Sequence, residues 1–97
     1  MIIRIVKMTF QPERVQDFKD NFDKHKESIR NFEGCLHLEL LQELDKDNVY
    51  FTYSWWQSPK DLENYRKSEL FGSVWAFTKS LFADKPEAWS VNKIEEL

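Results

Sequence analysis

The chain has 97 residues, with 14 Lys and Arg against 17 Asp and Glu, giving a net charge of −3. Neither sign gathers into a long block, so duplex nucleic acid and anionic membranes, which need a basic footprint, are poor partners. The single cysteine, Cys35, excludes an internal disulfide and fits a reducing compartment. The opening MIIRIVKMTF holds basic residues inside its apolar run, with no small-residue cleavage site, and so does not read as a signal peptide. No apolar stretch reaches the roughly 20 residues of a membrane span. A cytoplasmic protein with one domain over residues 1–97 is expected. Eight Phe, four Trp and three Tyr give that domain an unusually bulky apolar load.

Ile2 to Phe10 is rich in β-branched residues and ends at Gln11-Pro12, which predicts a first strand. Pro12 and Glu13 suit the start of a helix. Val15, Phe18, Phe22, His25 and Ile29 then recur at three- and four-residue steps, the pattern of an amphipathic helix about five turns long. Gly34 closes it. From Cys35 to Leu44, Leu36, Leu38 and Leu40 alternate with His37, Glu39 and Leu41 as a second strand. Asp45 to Asn48 is a polar turn into a third strand, Val49 to Gln57. Ser58 caps a short helix with Pro59 at its first position and Asp61 three residues on. Tyr65 ends that helix. Ser68 opens another, whose stripe is Phe71, Trp75, Thr78, Leu81 and Phe82. Ala88 to Ile94 is the last strand. The order is βαββααβ, a ferredoxin-like α+β fold with an antiparallel sheet and a divided second helix.

The third strand carries large aromatics on both faces: Val49, Phe51, Tyr53 and Trp55 on one, Tyr50, Thr52, Ser54 and Trp56 on the other. Helices in this topology cover one face only, and an apolar second face of that size is rarely left in water. A second copy of the chain, packed sheet to sheet, is the economical cover, so a homodimer is expected.

Several ordered features together resemble the antibiotic biosynthesis monooxygenase family of dimeric α+β barrels. They are IIRIVKMTF followed by Pro-Glu, the helix ending Asn31-Phe32-Glu33-Gly34-Cys35, and the block YSWWQSPKDLENYRKSELF from Tyr53 to Phe71, with its Trp56, Leu62, Tyr65, Ser68, Phe71 series. Phe82 and Trp89-Ser90-Val91 complete the set. The resemblance implies a homodimer and, as activity, cofactor-independent oxygenation of an aromatic or quinol-like small molecule. The alternative is a non-catalytic dimeric module of the same fold, either small-molecule-binding or stress-associated. Members of the family commonly carry Glu two residues before the strand-end tryptophan and His three residues after the helix leucine; here these positions hold Ser54 and Tyr65. Members that degrade haem place an iron-ligating histidine near the position of Trp75, and tryptophan cannot serve that role.

Oxygenation without a cofactor needs an apolar cavity, a base and donors to the developing oxyanion. His25, on the apolar stripe of the first helix, and His37, beside Glu39, are the candidate catalytic bases. The same patterns also describe a satisfied core histidine and a polar interface pair. Trp56, Tyr65, Tyr50, Phe22 and Ser68 are the candidate substrate contacts: the aromatics either stack on a planar ligand or fill the core, and Ser68 is first of all a helix cap. Arg66 and Lys67 are solvated or stand at a pocket mouth. Two histidines and one cysteine without close spacing give no metal site, and two glycines leave no phosphate loop, so no cofactor is expected.

Overall fold

The computed structural model describes all 97 residues. Its elements are β1 (Ile2–Thr9), a 3-10 turn (Pro12–Arg14), α1 (Val15–Arg30), β2 (Cys35–Gln42), β3 (Val49–Trp56), α2 (Pro59–Arg66), α3 (Glu69–Lys79) and β4 (Glu87–Val91). The four strands form one antiparallel sheet in the order β2-β3-β1-β4, as the ferredoxin-like reading requires. The last strand stops at Val91 rather than Ile94. Val91 pairs with Ile3, next to the first residue of β1, so β4 has almost no partner strand left beyond it.

Local chemistry sets the element ends. Pro12 starts a tight 3-10 turn before α1. Ser58 Oγ accepts from the Asp61 amide at 3.2 Å and donates to the Asp61 carboxylate at 2.7 Å, so Ser58 caps α2 as expected, with Asp61 turned to the cap's hydroxyl rather than to its backbone amide. Gly34 ends the turn after α1 with φ +88°, and a Cβ there would lie 2.4 Å from Cβ of Asp61. Two independent constraints therefore hold this position to glycine.

The register assigns every strand residue to a face. The helix-side rows run Cys35–Trp56–Ile2, then Leu38–Ser54–Arg4–Ser90, then Leu40–Thr52–Val6–Ala88, then Gln42–Tyr50–Met8. The opposite face carries His37–Trp55–Ile3–Val91, Glu39–Tyr53–Ile5–Trp89 and Leu41–Phe51–Lys7–Glu87. The alternation expected for β2 holds from His37 onward but not at its start. Leu36 is an extra, exposed residue in a β-bulge, which lets Cys35 point inward against Trp56 while His37 points to the open face.

The core on the helix side is split. Met8, Phe10, Phe18, Tyr50 and Leu81 form one cluster, and Ile2, Cys35, Trp56 and Leu62 form another at the opposite end of the sheet. Phe10 and Phe18 stack at 4.2 Å in the first. In the second, burial pushes the Cys35 thiol above its usual value despite the opposing effects of the His37 backbone and Arg30, as expected of a thiol packed in the core.

Replacing Gly34 by Ala should cost about 1–3 kcal/mol of unfolding free energy, because it combines a positive φ with a clash against α2. Urea denaturation measures this, and an unchanged midpoint would contradict the assigned turn.

Candidate functional site

Between the two core clusters lies a cavity of about 260 Å³. Its floor is the middle of the sheet, where Ser54, Thr52, Val6 and Ala88 are too small to reach the helices. Its walls are Phe18, Phe22 and Ile29 from α1, Leu62, Tyr65 and Arg66 from α2, and Phe71, Val74, Trp75 and Thr78 from α3. Arg4, Met8 and Leu38 from the sheet and Pro86, just before β4, complete the lining. Such a cavity, mostly apolar with a few converging polar groups, is the usual form of a small-molecule site.

Trp56 is the buried anchor of one end. Its side chain is 1% exposed, and its indole N–H donates to Ser54 Oγ at 3.0 Å. Tyr65 stacks on it, ring centroids 4.9 Å apart and planes at 25°. Tyr65 in turn meets Phe32 edge-on at 5.3 Å and Phe71 edge-on at 5.2 Å, and Phe71 stacks on Trp75 at 5.8 Å. Ser54 and Tyr65, which hold the two altered family positions, therefore come together on Trp56. Burial, and secondarily the charge of Cys35, push the Tyr65 phenol well above its ordinary value. Its hydroxyl thus remains a donor at any physiological pH.

Of the residues singled out from the sequence, Trp56, Tyr65 and Phe22 are brought to this cavity. One face of Trp56 is already covered by Tyr65, so Trp56 is a wall of the site rather than a free stacking platform. Tyr50, on the same face of β3 as Trp56, lies at the far end of the strand and packs against Phe10 and Phe18 in the first core cluster. Ser68 caps α3, accepting from the Phe71 amide at 3.1 Å and donating to the Tyr65 carbonyl at 2.6 Å, so it positions Tyr65 without reaching the cavity. His25 is half-buried on α1 with Nδ1 3.0 Å from the Asn21 carbonyl; the ring turns back along its own helix and is not part of the lining. His37 lies on the opposite face of the sheet, paired with Glu39 and 4.4 Å from the Trp55 ring. No histidine, aspartate or glutamate stands on the cavity wall.

The wall also contains residues that were not among the candidate substrate contacts. Phe71 and Trp75 sit four apart on the α3 stripe, a spacing that marks them as inward-facing. Arg4 shares its face with Val6 and Met8 on β1; a charge on an inward face is a signal in itself. Arg4 donates to Ser90 Oγ at 3.0 Å.

A four-stranded antiparallel sheet with its helices on one face places the chain among the ferredoxin-like α+β folds. The chain belongs to the antibiotic biosynthesis monooxygenase family, whose model matches residues 1–74. A conserved protein from Methanosarcina mazei Go1 has the same fold, with a TM-score of 0.89 at 23% identity over 96% of this chain and 93% of that one. A crystal structure described as an antibiotic biosynthesis monooxygenase gives a TM-score of 0.92 at 14% identity, over 98% of this chain and 100% of the other. A Haloarcula marismortui protein provisionally named as heme-binding is 30% identical over 78 residues, 80% of this chain. The chain spans only 12 to 15% of the length of the curated relatives it matches. No helix is long and apolar enough to cross a membrane.

The environment of Tyr65 has a spectroscopic consequence. Burial disfavours the phenolate, so at about pH 11, one unit above the ordinary tyrosine value of about 10, Tyr65 stays protonated. Phenolate absorbance on raising the pH to that point should therefore be the same in the native protein and in Tyr65→Phe. A smaller signal in the variant would show that Tyr65 is solvated.

Proposed function

We propose that the cavity binds a small planar aromatic molecule of the quinol or anthrone type, and that the bound molecule is oxygenated by dioxygen without a cofactor. The observation that carries this reading is the gap itself. Two tightly packed core clusters flank a cavity with aromatic walls and only a few polar groups, and close packing would otherwise have filled it. An anthrone-like substrate supplies all four electrons that dioxygen needs. One oxygen atom becomes the ring carbonyl and the other leaves as water, so no external reductant enters the balance. Tyr65 donates to the substrate oxygen on which negative charge develops, and Trp56, Phe22 and Trp75 exclude water around it.

Haem, in the provisional names of the curated relatives, does not fit these residues. The wall offers the iron neither imidazole nor thiolate, and the Tyr65 ring is already stacked on Trp56 and packed edge-on against Phe32 and Phe71. Met8, the remaining donor, is locked into the first core cluster. The cavity is also small beside the roughly 300–1,000 Å³ of ordinary ligand pockets.

The second reading, a binding module without turnover, is favoured by one observation: no imidazole or carboxylate on the wall can take the substrate's proton. Dioxygen uptake with a panel of anthrones and hydroquinones separates the two. The oxygenase reading expects uptake that falls about 100-fold in Tyr65→Phe, the scale of losing one oxyanion donor. It also expects His25→Ala and His37→Ala to leave the rate unchanged, because both rings lie off the wall. Binding of the panel with no uptake would establish the module.

The open face of the sheet supports a homodimer. Phe51, Tyr53 and Trp55 lie there unroofed by any helix, and Leu41, Trp89 and Val91 are 42%, 44% and 40% exposed. The Trp55 indole N–H is enclosed yet has no acceptor, and Lys93 Nζ, 4.6 Å from its ring centroid, covers part of it. Light scattering at micromolar concentration should give twice the chain mass of 11.8 kDa, and Trp89→Glu together with Tyr53→Glu should return the monomer. A monomeric mass for the native protein would remove the dimer from the account.

A further inference from the structure

We propose that the ligand of this cavity is an anion, an aromatic molecule bearing a carboxylate or an ionised enol, held by Arg4 and Arg66 acting together. The inference rests on the cavity being the binding site and adds the charge of what it binds. Arg4 rises from β1 in the centre of the sheet, flanked by Ser54 and Ser90 in its row, and Arg66 reaches the same cavity from the last turn of α2.

Neither guanidinium has a carboxylate partner, although acidic side chains outnumber basic ones in the chain as a whole. Glu63, which borders a shallow cleft on the other side of Arg66, is engaged by Lys67 at 2.7 Å. The only side-chain hydrogen bond of Arg4 is to the neutral Ser90 hydroxyl. Two like charges at one apolar cavity, with no acid on its wall, make an arrangement that folding alone does not favour. The protein bears the repulsion directly: burial, and then the charge of Arg66, hold the Arg4 guanidinium below its usual value. An anion between them relieves both effects. A guanidinium fork also matches the planar oxygens of a carboxylate or an enolate better than a point charge does.

This recognition also bears on the missing base. A site that prefers the ionised form of an enol or phenol lowers the pKa of the bound molecule, so that the anion can enter from solution and no wall carboxylate has to generate it. Arg66, exposed at the cavity edge, attracts the anion, while the half-buried Arg4 fixes its orientation against the sheet.

The test compares 2-naphthoate with 2-naphthylmethanol, which share a ring body and differ in charge, by calorimetric titration of the native protein. Naphthoate should bind at least about ten-fold more tightly, the equivalent of about 1.4 kcal/mol. That preference should shrink as salt is raised and should fall several-fold in Arg66→Gln, where naphthoate loses more affinity than the alcohol does. Arg4→Gln should act in the same direction and Arg4→Lys should recover part of the loss. Arg66 is exposed at a helix end, so its variant carries the test even where an Arg4 variant is unstable. Equal affinity for the two probes, or a preference undiminished in Arg66→Gln, would overturn the anion clamp while leaving the aromatic site standing. Failure of both probes to bind would overturn the clamp and the aromatic site together.

Discussion

The helix-facing row of β3 runs Tyr50, Thr52, Ser54, Trp56, large at both ends and small in the middle, and the rest of the molecule is arranged around that constraint. Large rings at the ends anchor two separate core clusters against α1, α2 and α3. Small residues in the middle leave the helices propped away from the sheet. Val6 and Ala88, the neighbours of Thr52 in its row, keep the floor low on β1 and β4 as well. Protein interiors ordinarily close such gaps, since the atoms lining a void lose dispersion contacts. The domain keeps one, rims it with aromatic rings, and sets two unpaired cations at it.

The two faces of β3 divide the labour. The inner face makes the cavity; the outer one, with Phe51, Tyr53 and Trp55, is the surface for which a partner copy is proposed. One extra residue in β2 secures that division. Without the bulge at Leu36, strict alternation from the inward Cys35 would turn His37 toward the helices and Leu38 away from them. With it, Leu38 lines the cavity and His37 joins Glu39 and Trp55 on the open side.

Much of this was legible in the sequence because it follows from periodicity and punctuation. The helix stripe of α1, the Ser58 and Ser68 caps, the Gly34 stop and the alternation of β3 each depend on neighbours a few residues away, and together they give the strand and helix order. The cavity-lining residues were legible only in part. Trp56, Tyr65 and Phe22 could be found because family spacing and the apolar stripe point to them. Tyr50 could not be separated from Trp56 by alternation, since both lie on one face and only their distance along the strand sends Tyr50 into the first cluster. His25 occupies the right stripe, but its ring satisfies itself on the Asn21 carbonyl, a rotamer choice that sequence spacing does not encode. The convergence of Arg4 and Arg66 joins β1 to α2 across 62 positions of the chain, a contact created only when the sheet and helices assemble.

The central claim is that the cavity is a built feature of the folded protein and not a packing defect that closes in solution. Val74, on the α3 side of the cavity, is the place to test it. If the space is open, Val74→Phe fills it with apolar surface, and the melting temperature is unchanged or raised. If the space is closed, the larger ring overpacks the core at a cost of about 1–3 kcal/mol, which lowers the melting temperature by roughly 4–8 °C per kcal/mol in a domain of this size. A melting temperature at or above that of the native protein is the result this account predicts, and a fall of that magnitude would contradict it.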